Sequence, residues 1–129
     1  MKIEHVAYWV KDLEKMKRFY QDYFGGRASE LYHNPQKEFH SYFISFSSGA
    51  RLELMHSNHF AEQQPKNSGK QLGITHLAFS AGSKDHVNAL TERLNQDGYQ
   101  VLGKPRTTGD GYYESVVLDP ELNKIEITV

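Results

Sequence analysis

Cysteine is absent from the 129 residues, which removes disulfides, zinc–thiolate sites, iron–sulfur clusters and thiol nucleophiles together. Any metal held here must take imidazole, carboxylate or amide ligands. An excess of one charge is also missing. The formal net charge is -1 with no dense Lys/Arg tract, so no summed positive field attracts phosphate backbones and nucleic acid is not an expected partner. No apolar run exceeds strand length, and Met1 leads straight into Lys2-Ile3-Glu4-His5 without an apolar signal region. Neither membrane insertion nor secretion is indicated, and a cytoplasmic location is the expectation. The chain length and the 38% share of hydrophobic residues suit one globular domain with an ordinary core.

What is present is patterned. From Ile3 to Val10 the residues alternate, with Val6, Tyr8 and Val10 on one face and His5, Ala7 and Trp9 on the other, as in a strand. Asp12 caps a helix that carries Leu13, Met16 and Tyr20 at helical spacing, widened by Phe19 and Tyr23 and stopped by Gly25-Gly26. Strand-like pieces follow at Ala28 to Tyr32, Phe39 to Phe46 and Arg51 to His56. A polar stretch over 58–72, with Pro65 and Gly69, reads as a connection. The pattern then restarts with a strand from Gly73 to Ala81. A helix capped by Ser83 and ended by Gly98 follows, then strands at Tyr99 to Leu102, Tyr112 to Leu118 and Lys124 to Val129.

The restart is a duplication. Ile3-Glu4-His5-Val6-Ala7-Tyr8 matches Ile74-Thr75-His76-Leu77-Ala78-Phe79 in chemical type, and Arg51-Leu52-Glu53-Leu54 matches Lys124-Ile125-Glu126-Ile127. The expected fold is therefore α+β, one domain over 1–129 made of two βαβββ modules, 1–57 and 73–129. Neither module is large enough to bury its sheet well alone, so the two are expected to pack together, forming a curled mixed sheet around a cup.

In each echoed strand the neighbours of the polar residue are apolar and belong under a helix, so His5, Glu53, His76 and Glu126 project to the opposite face. Small Ala7 and Ala78 leave room beside the histidines. Two imidazoles and two carboxylates suit a divalent ion such as Ni²⁺, Co²⁺, Zn²⁺, Mn²⁺ or Fe²⁺. Without a cation, two carboxylates in a partly desolvated cup repel one another. Hydrogen-bonded strand histidines and solvated glutamates account for any one of the four alone, but not for four at matched positions.

On these residues the chain resembles the vicinal oxygen chelate superfamily, and within it glyoxalase I-like proteins. The carriers are His5-Val6-Ala7, Leu52-Glu53-Leu54, Thr75-His76-Leu77-Ala78-Phe79, and Asp119-Pro120 followed by Asn123-Lys124-Ile125-Glu126. The resemblance implies one ion (nickel, cobalt or zinc, with manganese or iron as alternatives) on His5, Glu53, His76 and Glu126. It also implies a lyase acting on the methylglyoxal–glutathione hemithioacetal by proton transfer through a cis-enediolate whose vicinal oxygens chelate the metal. Glu126 is expected to be the base, supported by Glu53. A homodimer and a small-molecule substrate are implied too.

Two departures bear on substrate. Trp9 stands where bacterial glyoxalase I carries an arginine for the glutathione carboxylate, and Glu121-Leu122 replace the family's Asp-Gly in the closing turn. Other members of the superfamily are epimerases, dioxygenases, antibiotic-modifying thiol transferases and metal-free drug-binding proteins, which are the competing readings. Among the remaining residues, His56 and His59 read as surface loop, and His33, His40 and His86 as ordinary histidines. Tyr112, Tyr113 and Glu114, and likewise His40 and Tyr42, are candidate pocket-lining residues.

Overall fold

The computed structural model describes residues 1–58, 73–109 and 111–129. The chain divides into two compact units, Met1–Lys70 and Gln71–Val129. The first contains β1 (His5–Trp9), α1 (Leu13–Phe24), β2 (Arg27–Ala28), β3 (Tyr32–Asn34), β4 (Phe39–Ser45) and β5 (Arg51–Ser57). The second contains β6 (Leu77–Ser80), α2 (Lys84–Gln96), β7 (Val101–Thr107), β8 (Tyr113–Leu118) and β9 (Lys124–Thr128). The second unit thus shows the expected βαβββ plan and the first the same plan with one additional short strand after its helix, each with a mixed sheet of its own.

The first sheet runs β1-β5-β4-β2, with β3 also paired to β4, and the second runs β6-β9-β8-β7. In both, the first and last strands of the unit are parallel neighbours at one edge, and the remaining pairs are antiparallel. Neither sheet closes into a barrel.

Helix α1 starts where Asp12 accepts the Lys15 N–H at 2.9 Å and ends at Gly25, whose φ of 64° is left-handed and free of a Cβ penalty. Its buried face, Met16, Phe19 and Tyr20, lies over the strand face that carries Tyr42, Ile44, Leu52 and Leu54. Gly26 makes the tight exit possible, because a Cβ there would stand 2.5 Å from Ile44 Cγ2. Tyr42 ties the helix to the sheet by donating to Glu14 at 2.7 Å. The Lys17 ammonium first, and the Tyr42 hydroxyl second, hold the Glu14 carboxyl below its ordinary range. This tie is therefore complete above the ordinary glutamate pKa and is lost as pH falls through the lowered value.

In the second unit, Ser83 caps α2 by accepting the His86 N–H at 3.2 Å. Val87, Thr91 and Leu94 are buried toward the sheet, where the Thr91 hydroxyl bonds Ser115 at 2.6 Å. Val117, Ile125 and Ile127 complete that core.

Three strand expectations need correction. Ala28 to Tyr32 is not one strand but the ends of two, because Ser29 Oγ accepts the Phe43 N–H at 3.0 Å in place of a ladder bond. The strand expected from Gly73 begins only at Leu77, which faces Ile125 near the start of β9, so the residues before it have little strand to pair with. The strand expected at Tyr99 to Leu102 begins instead at Val101 and runs on to Thr107, passing through Pro105. Pro105 falls within the register shift between Gly103 and Arg106 of the β7/β8 ladder, an irregularity of the kind where a strand tolerates a missing N–H.

The altered closing turn is structural. Buried Asp119 accepts the Glu121 and Asn123 N–H groups at 2.9 Å each and the Asn123 amide at 2.7 Å. Leu122 is held at a φ of 66°, a left-handed conformation that costs a side-chain-bearing residue about 1–2 kcal/mol. Leu122→Gly is expected to stabilise the chain by up to about 1 kcal/mol after glycine's entropic cost. The midpoint of urea unfolding checks this, and a lower midpoint would show that the leucine contributes packing the turn needs.

Candidate metal centre

Register brings the echoed residues together in pairs. Ala7 faces Glu53 across the parallel β1/β5 ladder, and Ala78 faces Glu126 across β6/β9. In both units the histidine stands two residues before that alanine, on the same sheet face, and the alanine methyl leaves space for the imidazole to lean toward the carboxylate. His5 Nε2 lies 3.9 Å from Glu53 Oε2, with side chains 40% and 14% exposed. His76 Nε2 lies 3.2 Å from Glu126 Oε2, with side chains 39% and 23% exposed. The two pairs are thus near copies in placement and burial. Among the described residues no group of three or more His, Asp or Glu side chains is assembled as a metal site.

Both pairs lie on the sheet face away from their helix. In the first unit Leu52 and Leu54 are buried on the α1 side, and Glu53 between them points the other way, beside its β4 partner Phe43. In the second, Ile125 and Ile127 are buried toward α2 with Glu126 between them. Fixed neighbours on a strand cannot rotate to share a face, so packing the leucines and isoleucines aims the carboxylates.

The remaining nitrogen of each histidine is also held. Glu4 Oε2 accepts from His5 Nδ1 at 2.5 Å, and Thr75 Oγ1 meets His76 Nδ1 at 2.9 Å. His5 first, and Arg51 second, hold the Glu4 carboxyl below its ordinary range. These partners were missed by motif reading, although Glu4 and Thr75 occupy matched places in the duplication.

The other strand residues singled out by sequence divide between the two faces of their sheets. Tyr42 is buried on the α1 side, and alternation puts His40 there too, so neither accompanies the His5–Glu53 pair. His40 stacks on His33 with ring centroids 4.3 Å apart, and His56 Nδ1 donates to the Val10 carbonyl at 2.9 Å. Tyr113 faces α2, its hydroxyl donating to Asn88 at 2.8 Å. Glu114 shares the Glu126 face by alternation and lies 3.9 Å from Arg106. His86 Nδ1 donates to the Ala81 carbonyl at 2.9 Å, a local helix-entry contact. His59 lies outside the described residues. Trp9, about half exposed, shares the His5 face and meets Phe39 with centroids 6.3 Å apart.

Two echoed units, each with an open mixed sheet and a His–Glu pair at its parallel strands, define the class of protein. The chain belongs to the Glyoxalase/Bleomycin resistance protein/Dioxygenase superfamily, whose family model matches residues 2–127. An uncharacterized protein of Bacillus subtilis (strain 168), YqjT, is 31% identical over 128 residues, covering 97% of this chain and 96% of its own. Among solved structures, a glyoxalase I variant from Zea mays superposes with a TM-score of 0.76 at 20% identity. That match covers 98% of this chain but 44% of the maize chain, so the protein spans less than half of that relative. A trypanothione-dependent glyoxalase I from Leishmania major matches with a TM-score of 0.72 at 20% identity, covering 99% of this chain and 86% of the other. At these identities the structures establish shared fold alone. No helix among the described residues is long and apolar enough to cross a membrane.

Proposed function

We propose that the protein is a metal-dependent lyase of glyoxalase I type, in which His5, Glu53, His76 and Glu126 hold one divalent ion in a homodimer. The observation that carries this reading is the pairing of acceptors. The ionised Glu4 carboxylate can only accept, so neutral His5 keeps its proton on Nδ1 and turns the Nε2 lone pair toward another carboxylate, Glu53, 3.9 Å away. Two acceptors in that relation suit a divalent cation between them. Bonds of about 2.1 Å place ligand atoms on one ion roughly 3–4 Å apart, and the 3.9 and 3.2 Å separations match.

Two neutral donors and two carboxylates fit nickel, cobalt or zinc, with manganese and iron next. When bound, the ion supplies positive charge beside vicinal substrate oxygens. Glu126 then takes the proton from one carbon and returns it to the neighbouring carbon, with Glu53 in support. The substrate is a hemithioacetal of an α-ketoaldehyde. Trp9 supplies an apolar contact where a carboxylate-reading arginine would supply an ionic one, so thiol cofactors carrying fewer carboxylates than glutathione are favoured.

The test is metal analysis of chelator-free protein, with lyase assays after reconstitution with each metal. About one ion per chain, lost in His76→Ala, is expected, together with turnover of a methylglyoxal–thiol adduct. Protein that takes up no ion under any of these conditions would sink the reading in favour of a metal-free binding protein. Mixing His5→Ala with His76→Ala chains then locates the site: activity returns only if each site draws on two chains.

A further inference from the structure

The two histidines are held by chemically different partners, and the difference is consequential. Around His5 the contacts close into a ring. Glu4 bonds Nδ1 at 2.5 Å and receives Arg51 Nε at 2.7 Å. The Arg51 guanidinium then lies 4.1 Å above the Phe43 ring, which meets the His5 ring edge-on at 5.3 Å. Each member is therefore braced on two sides.

The second unit keeps the positions but not the chemistry. Lys124 stands two residues before Glu126 as Arg51 stands before Glu53, and Val116 pairs with Glu126 as Phe43 pairs with Glu53. A valine offers no ring for a cation or an imidazole. The Nδ1 partner is Thr75, a hydroxyl that can donate or accept, at 2.9 Å.

A carboxylate and a hydroxyl do different things to an imidazole. The carboxylate dictates one tautomer, with the proton on Nδ1 and the lone pair on Nε2, which is the metal-binding form, and it raises ligand basicity. The hydroxyl accommodates both. With Thr75 donating to Nδ1, His76 carries its proton on Nε2 and donates a hydrogen bond from it to Glu126 at 3.2 Å; with Thr75 accepting, Nε2 becomes a ligand and Glu126 is released from that bond.

We infer that Glu4 is a positioning residue that presets His5 as the permanent metal ligand, whereas Thr75 lets His76 change tautomer, making His76–Glu126 the exchanging half of the site. The inference rests on the metal-centre reading above and explains why Glu126, rather than Glu53, is the carboxylate able to leave the ion and carry a proton.

The test uses the full chain. Long-range ¹H–¹⁵N spectra of metal-free protein at mildly alkaline pH report the tautomer of each histidine, the His5 and His76 signals being assigned by His→Gln variants. His5 is expected with its proton on Nδ1, moving largely to Nε2 in Glu4→Ala and staying on Nδ1 in Glu4→Gln, whose amide oxygen still accepts. His76 is expected as a mixture that Thr75→Val shifts. Cobalt(II) titration read by visible absorption should show Glu4→Ala weakening binding by about 10- to 100-fold, with Glu4→Gln between it and wild type and Thr75→Val changing it by a few-fold at most. A wild-type His5 with its proton on Nε2, or equal losses in the Glu4 and Thr75 variants, would overturn the inference. If wild type binds no cobalt, the metal-centre reading fails, and the tautomers of the metal-free chain still decide the role of Glu4.

Discussion

On the proposed lyase function, Glu126→Gln is expected to lower turnover of the hemithioacetal by about 100- to 10,000-fold, the range a positioned general base supplies, while leaving the fold in place and most of the metal that wild type takes up. The substitution keeps shape and an oxygen ligand but removes the capacity to accept and return a proton. It also leaves undisturbed the flanking Ile125 and Ile127, both fully buried, so loss of activity cannot be read as loss of structure. Glu53→Gln should fall less in turnover and more in metal affinity, because its carboxylate stands beside His5, the ligand that the inference above makes permanent. Comparing kcat and metal content across the two variants checks the assignment. A Glu126→Gln enzyme within about threefold of wild type would remove Glu126 from the role of base and move attention to Glu53.

Phe19→Ala is expected to cost about 3–5 kcal/mol of stability, as for other fully buried phenylalanines. Phe19 is 2% exposed and sits within ring contacts to Tyr20 and Tyr23, both at 5.3 Å, and Phe24 at 5.6 Å. Against a typical total of about 5–15 kcal/mol for a domain, this one change removes a large share. The consequence reaches the site, because α1 packs on the side of the sheet opposite Glu53, and the buried Leu52 and Leu54 that aim Glu53 rest on that packing. Urea denaturation followed by far-ultraviolet circular dichroism measures the effect. A shift below about 1 kcal/mol would mean that the aromatic cluster repacks around the lost ring.

Much of this was legible without coordinates, and for a definite reason. Helix caps are read from neighbours three residues apart, so Asp12 and Ser83 begin α1 and α2 where their side chains find the first free N–H groups. Strand faces follow from alternation, which assigned His5, Ala7 and Trp9 away from Val6, Tyr8 and Val10. What alternation handles poorly is the end of an element. The Ser29 bond that divides β2 from β3, and the passage of β7 through Pro105, both depend on which neighbour a strand has.

The amino-acid sequence by itself determined the duplication, the two βαβββ units and the four residues at matched positions, because each of those is a matter of residue type and local period. Only tertiary structure decided that His5 reaches Glu53 and His76 reaches Glu126, since strands distant along the chain must first align in parallel register. It alone showed Glu4 bonded to both His5 and Arg51. Adjacent residues on an ideal strand point to opposite faces, so alternation argues against a Glu4–His5 bond; it forms where the backbone enters the strand and Arg51 arrives from β5 to complete it.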